Sequence, residues 1–174
     1  MGTIHVVSRR NYYGRIKRGG NMKKVLLLTF FWAMQLTWGF IENFIGALIF
    51  LAMVCTGHKP KVFHQIIYFE AGKSLTWGGF NMGFVTIVNK LPSERLLRHE
   101  HGHFIQNFFF GPLNLPLQIA SAIRYWYRQY LLKYKYSKWL NLPEYDAWWY
   151  EGMATSLGNE YFLNQPLAKL RGKE

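Results

Sequence analysis

The longest apolar stretch, VLLLTFFWAMQLTWGFIENFIGALIFLAMVC, runs from Val25 to Cys55, and only Gln35, Glu42 and Asn43 interrupt it with weight. A membrane-spanning helix needs about 20 apolar residues. Val25 to Ile41 is marginal by that measure, and Phe44 to Cys55 is too short. The pattern suits a single helix with Glu42 and Asn43 near the far interface, a helical hairpin bent near Gly39 or Gly46, or a signal peptide opening at Met22. No small-x-small cleavage site follows, and the apolar character continues, which weighs against the signal. Membrane insertion or deep interfacial burial is therefore preferred over a cleaved signal or a soluble core helix. Glu42 is expected at a water interface or hydrogen-bonded to Asn43 or Gln35, although an acid at membrane depth also invites a functional reading.

Beyond this stretch the pattern changes. KVFHQIIYFE (61–70) and FNMGFVTIV (80–88) are rich in aromatic and β-branched residues and read as strands. Ala71-Gly72-Lys73 and Gly78-Gly79 read as turns, which predicts a two- or three-stranded antiparallel sheet over 62–88. Gly79 and Gly83 mark a bulge or a close backbone approach. His64 falls in the first strand and reads as an ordinary residue there. Ser93 to Phe110 forms a helix, opened by Pro92, Ser93 and Glu94 and stopped by Gly111-Pro112. A basic, tyrosine-rich helix is expected over 115–137 and a last helix over 144–158.

Composition narrows the class. The chain has 174 residues, room for one domain or a small domain with an anchor. Half of its residues are hydrophobic and 18% are aromatic, which excludes a disordered chain. The lone Cys55 excludes an intrachain disulfide and a cysteine-based zinc site. Lys and Arg total 21 against 9 Asp and Glu, a net +12 that suits an anionic partner. Residues 1–24 hold seven of these cations and no acid. They do not form a myristoylation signal, because Val6 stands where Ser or Thr is required. Ser8-Arg9-Arg10 matches a twin-arginine signal only loosely, and Met22 is an alternative start of translation. The expected organisation is a basic N-terminus (1–24), an apolar membrane-associated segment (25–56), a metal-binding domain (61–164) and a basic tail (165–174). If the apolar segment spans once, the basic N-terminus stays cytoplasmic.

The chemistry lies in His99-Glu100-His101-Gly102-His103. Residues i and i+4 share a helical face, so His99 and His103 can direct ring nitrogens at one metal ion. Glu100, about 100° around the helix, sits where it can take a proton from water and pass it to a leaving amine. The apolar flanks Leu96-Leu97 and Phe104-Ile105 bury the motif, and buried histidines and a buried glutamate need partners. His101, at i+2, points away from the other two and is expected beside the site, at the surface or adventitious. A catalytic zinc takes three protein ligands. The basic aromatic helix offers no acid or histidine. Glu144 and Asp146 suit the start of the last helix, where acids favour the dipole. Glu151, expected mid-helix, is left as the third ligand.

These residues resemble a gluzincin, the zinc-metallopeptidase group with HExxH on one helix and a ligand Glu on a later one. The matches are His99, Glu100, His103 and Glu151. The resemblance implies an acid four residues after the ligand Glu, bonded to a zinc-bound histidine. Thr155 stands there, so Asp146 or water is expected to take that role. It also implies an oxyanion-stabilising group, for which Tyr145, Tyr150, Tyr161 and His101 stay open, and an edge strand that binds extended peptide, here Phe80 to Val88. The chain is also similar to small bacterial membrane proteins with an apolar Thr-Trp-Gly segment, a short sheet and a His-Glu-x-Gly-His helix followed by Gly-Pro-Leu. Here these are Thr37-Trp38-Gly39, His99 to His103 with Gln106, and Gly111-Pro112-Leu113 with Ser121.

The expected protein is an α+β, minimal zincin-like domain with an N-terminal apolar helix or hairpin. It would act as a membrane-associated zinc-dependent peptidase with one Zn2+ per chain and Glu100 as general base. Its partners would be a peptide or protein substrate and an anionic membrane surface, at a bacterial-type inner membrane. The alternatives are a zincin-like membrane scaffold without turnover and, ranked last, a basic nucleic-acid-binding protein whose tyrosines stack on bases.

Overall fold

The computed structural model describes residues 18–71, 78–133 and 144–160. Most of the basic N-terminus, the 165–174 tail, Tyr161 and the 134–143 connection lie outside them. The chain divides into two units, Met1–Ala33 and Met34–Glu174. The first holds most of α1 (Arg18–Thr37). The second holds the last turn of α1 and all the other elements. Among the described residues no single helix is long and apolar enough to cross a membrane; Val25–Thr37 and Phe40–Cys55 pass by length and composition only as a pair.

The apolar run is interrupted at Trp38–Gly39, ahead of α2 (Phe40–Cys55). Buried amides fix the break. Asn43 Nδ2 and Asn107 Nδ2 both donate to the Gly39 carbonyl, at 3.0 and 3.1 Å. Gln35 donates to the Phe104 carbonyl at 2.8 Å and accepts from Asn107 at 2.9 Å. A side chain at Gly39 would displace the Asn107 amide, since its Cβ would stand 2.6 Å from Nδ2. Glu42 makes neither of its expected bonds. Its carboxylate is buried and accepts from Asn114 at 3.0 Å and Gln118 at 3.4 Å. Asn43 is the residue bonded to Gln35. α2 thus belongs to the same unit as the motif helix.

The architecture is α+β, but the sheet has four strands and is mixed. Its strands are β1 (Lys61–Phe63), β2 (Ile66–Glu70), β3 (Gly79–Met82) and β4 (Val85–Val88), in the order β1-β2-β4-β3. Each stretch read as one strand is a hairpin with a two-residue turn. β1 pairs antiparallel with β2, β3 antiparallel with β4, and β2 parallel with β4 in the register Ile67↔Val85. Two-residue hairpin turns need left-handed backbone. Gly83 supplies it at φ 57 and His64, a turn residue after all, at φ 52. A His-Gln turn lacks the usual Asn-Gly signal, so the first hairpin was hidden.

α3 (Glu94–Phe110) carries the motif. Ser93 Oγ caps it by accepting from Leu96 N at 3.2 Å, and Arg98 bridges back to Glu94 at 2.6 Å. Its middle, Glu100 to Asn107, is buried all round. α4 (Asn114–Lys133) follows a 3-10 turn at Gly111–Leu113. The last helix starts later than expected: Tyr145–Ala147 form a 3-10 turn, Trp148 is extended, and α5 runs Trp149–Glu160. Glu151 is therefore a first-turn acid.

α3 and α5 meet backbone to backbone. An added Cβ at Gly102 would stand 1.9 Å from the Ala154 carbonyl oxygen, and one at Gly158 1.9 Å from that of Arg98. Neither obstacle is a flexible side chain. Gly102→Ala should therefore force the helices apart and cost about 2–3 kcal/mol, as overpacking of a rigid contact does. A thermal melt within a degree or two of wild type would show that the contact yields.

Candidate metal centre

The α3–α5 contact sets the site. His99 and His103 project from successive turns of α3, with ring centroids 4.8 Å apart. Glu151, in the first turn of α5, puts Oε2 3.2 Å from His99 Nε2 and 3.4 Å from His103 Nε2. The three ligand atoms lie within 4.8 Å of one another, so the group could hold a metal ion. Glu151 Oε2 is buried and has no other partner among the described residues. A cation between the three side chains would satisfy it, so the donor set fits.

Hydrogen bonds on the far side of each ligand fix its orientation. Thr155 Oγ1 donates to Asp146 Oδ2 at 3.3 Å and so accepts from His99 Nδ1 at 2.8 Å. Gln106 donates its amide to the Tyr150 carbonyl at 2.7 Å, leaving Oε1 to accept from His103 Nδ1 at 2.8 Å. Both imidazoles, when neutral, therefore carry their proton on Nδ1 and turn a bare Nε2 toward Glu151. Ser121, on α4, donates to Glu151 Oε1, which leaves Oε2 for the site. Thr155 and Asp146 together supply what the sequence left open between them: the threonine relays His99 to the carboxylate.

Glu100 lines the same cavity, of about 510 Å³, and is buried. Burial raises its carboxyl above the usual range, against the lowering effect of His103 and His99. Gly79 admits it closely, since a Cβ there would stand 2.5 Å from Glu100 Oε1. Tyr145 also lines the cavity, its hydroxyl 2.8 Å from Ser121 Oγ. Burial, then Glu151, pushes that hydroxyl well up, so it remains a proton donor.

Two candidates have their polar groups engaged elsewhere, although Tyr150 also lines the cavity. The Tyr150 hydroxyl donates to Asn114 Oδ1 at 3.1 Å, so its contribution is the main-chain carbonyl that holds Gln106. His101 is fully buried under the first hairpin, with Nε2 2.6 Å from Gln65 Oε1 and its ring 5.7 Å from that of His64. Burial, then His64, lowers it to about 3, so it stays neutral. Ser121 is the functional contact that residue-type reasoning passed over: α4 offers no ligand but steadies one.

A scan of protein-family models, a search of curated proteins and a search of solved structures match nothing to this chain.

Thr155→Val keeps shape and removes the relay. It should leave the fold intact and weaken metal binding about tenfold or more, as read by competition with a chromophoric chelator. Unchanged affinity would make the relay incidental.

A second expectation follows from charge. Without metal, burial pushes His103 down, but its hydrogen bond to the Glu151 carboxylate outweighs this and holds it at about 9. Burial pushes Glu151 up, but the two histidines hold it well below its ordinary 4.5. A raised imidazole stabilises fully below its unfolded value of 6.5, and that contribution is lost as pH rises through about 9. A lowered carboxyl stabilises above 4.5, and its contribution is lost as pH falls toward the folded value. As far as this pair decides, the metal-free protein is most stable between about pH 4.5 and 6.5. Added zinc should shift the optimum upward, because the metal displaces the His103 proton. Melting curves of chelator-treated and zinc-loaded protein with the same optimum would contradict this pairing.

Proposed function

We propose that the protein is a membrane-associated zinc-dependent peptidase with a zincin-like site. The observation that carries the reading is the convergence of His99 Nε2, His103 Nε2 and Glu151 Oε2, with Glu100 on the same cavity. Two imidazoles and one carboxylate suit zinc, one ion per chain. Bound there, zinc would polarise a scissile carbonyl and acidify water. The chain's residues do the rest. Glu100 takes the proton of the attacking water and returns it to the leaving amine, and its raised affinity for protons suits that exchange. Tyr145, whose hydroxyl donates to Ser121 Oγ in the resting site, can exchange that bond for one to the developing oxyanion.

The sheet supports a peptide substrate. β3 is an edge strand and lines the cavity. Asn89 N donates to the Gly78 carbonyl, so by antiparallel alternation Phe80 and Met82 turn their main chain toward β4. Gly79 and Asn81 then turn theirs outward, where an extended peptide could pair. The edge is thus β3 alone, shorter than the 80–88 segment expected from sequence.

The reading without turnover rests on the missing acid at Thr155 and on the small size of the chain, and the link from Thr155 to Asp146 weakens the first ground. A nucleic-acid reading needs cations free to meet phosphates, whereas Arg124 donates to the Tyr145 carbonyl and stacks on Tyr145 and Trp148. We place the protein at a bacterial-type inner membrane with a cytoplasmic N-terminus, on the strength of the apolar run and the cations ahead of it.

Glu100→Gln should retain about one zinc per chain and lose peptide hydrolysis by about 10³-fold or more. Glu151→Ala should lose most of the zinc. Plasma mass spectrometry and cleavage of a quenched peptide library test both, and an active Glu100→Gln would sink the mechanism.

A further inference from the structure

α2 and α4 have the reverse of a soluble helix's polarity. In a soluble protein the apolar stripe faces inward. In α2 the inward residues are Glu42, Asn43 and Gly46, and the exposed ones include Ile41, Phe44, Leu48, Leu51 and Val54. Every exposed position of α2 is apolar. In α4 the inward residues are Asn114 and Ser121, and the exposed ones include Ile119, Ile123, Trp126, Tyr127 and Tyr130. Glu42 accepts from both Asn114 and Gln118, so the polar sides of the two helices satisfy each other.

What covers the outward faces follows from what they lack. A protein partner's interface carries about one hydrogen bond per 100–200 Å². Apart from the weak thiol of Cys55 at its end, the outward face of α2 offers no side-chain donor for one along 16 residues, roughly 24 Å of helix. Lipid acyl chains ask for none. Cations bracket the apolar run, Lys23 and Lys24 before it and Lys59 after it, which complements anionic headgroups. The outer end of α4 mixes Trp and Tyr with Arg128 and Lys133, the composition of a headgroup layer.

The cavity has two unlike rims. One is α4, where Ile119 and Ala122 are both exposed and lining. The other is polar, with Ser93, Arg95 and Asn159 exposed and lining. We propose that the cavity opens at the bilayer surface, its α4 rim in lipid and its Arg95 rim in water, and that it takes a polypeptide emerging from the membrane, drawn out along β3. The lipid-facing surface stands on the burial pattern alone; the substrate class rests on the peptidase reading.

The test uses the full, zinc-loaded chain in vesicles of phosphatidylcholine and phosphatidylglycerol. In a Cys55→Ala background, nitroxides are placed at Ile123→Cys and Arg95→Cys. The label at 123 should be open to oxygen and shielded from a nickel chelate, and the label at 95 the reverse. Both labels open to nickel would overturn the lipid-facing surface. Both shielded would overturn the placement of the cavity at the boundary. Two quenched peptides then share one apolar anchor of about 20 residues. In one the cleavable segment abuts the anchor; in the other a flexible spacer of about 30 residues intervenes. The abutting peptide should be cleaved about fivefold faster or more, beyond what shared residence on a vesicle gives. Equal rates would overturn the substrate class. Cleavage of neither, with zinc bound, would overturn the peptidase reading and the substrate class with it, while the labels still decide the surface. Ile123→Glu combined with Tyr127→Glu should keep zinc and weaken binding to vesicles, with α2 still holding the chain there; an unchanged vesicle affinity in a lipid titration would count against α4 as a lipid contact.

Discussion

The close approach of α3 and α5 is the constraint on which the site depends. Two glycines, Gly102 and Gly158, each lie against a carbonyl of the opposite helix. At that separation a carboxylate in the first turn of α5 stands 3.2 and 3.4 Å from two imidazoles on α3. The same contact brings Thr155 to His99, and Gln106 to the Tyr150 carbonyl. The ligands and the groups that orient them are therefore set by one packing event.

From that contact the order of the site spreads outward through hydrogen bonds. Gln106 holds His103 and is itself held by the main chain at Tyr150. The Tyr150 hydroxyl is held by Asn114, and Asn114 donates to Glu42 on α2. A polar network buried this deeply is costly if any member loses its partner. α2 is thus part of the same polar network as the candidate metal centre. Its one carboxylate closes a chain of bonds that begins at His103, so its placement and the orientation of that imidazole are linked.

How far the sequence disclosed this depended on the range of each signal. The i, i+4 spacing of His99 and His103 is local, so helix, cap and ligand face could be read from it. Glu151 is expected mid-helix from the sequence, whereas it lies in a first turn, where an acid also has an ordinary role. The hairpins were missed because His64-Gln65 carries no turn signal and because a parallel pairing of β2 with β4 is a long-range choice that no short pattern encodes. Asp146, Thr155, Ser121 and Glu42 act through partners 9 to 76 residues away. Residue type alone could name them as polar but could not pair them.

The hydropathy pattern was the hardest signal to interpret, and the reason is physical. Reading a core from periodicity assumes water outside and oil inside. α2 and α4 pack polar side chains inward and leave apolar ones outside. Under the usual assumption Glu42 and Asn43 look like interruptions of an apolar helix, bound for an interface with water. They are instead part of what holds that helix to the protein, Glu42 through Asn114 and Asn43 through the Phe84 N–H. If lipid is the solvent for these faces, the polar residues are the packing surface and the apolar ones the solvated surface. The arrangement then needs no exposed hydrophobic patch to be explained away, and a cavity lined by both kinds of rim falls where the two solvents meet.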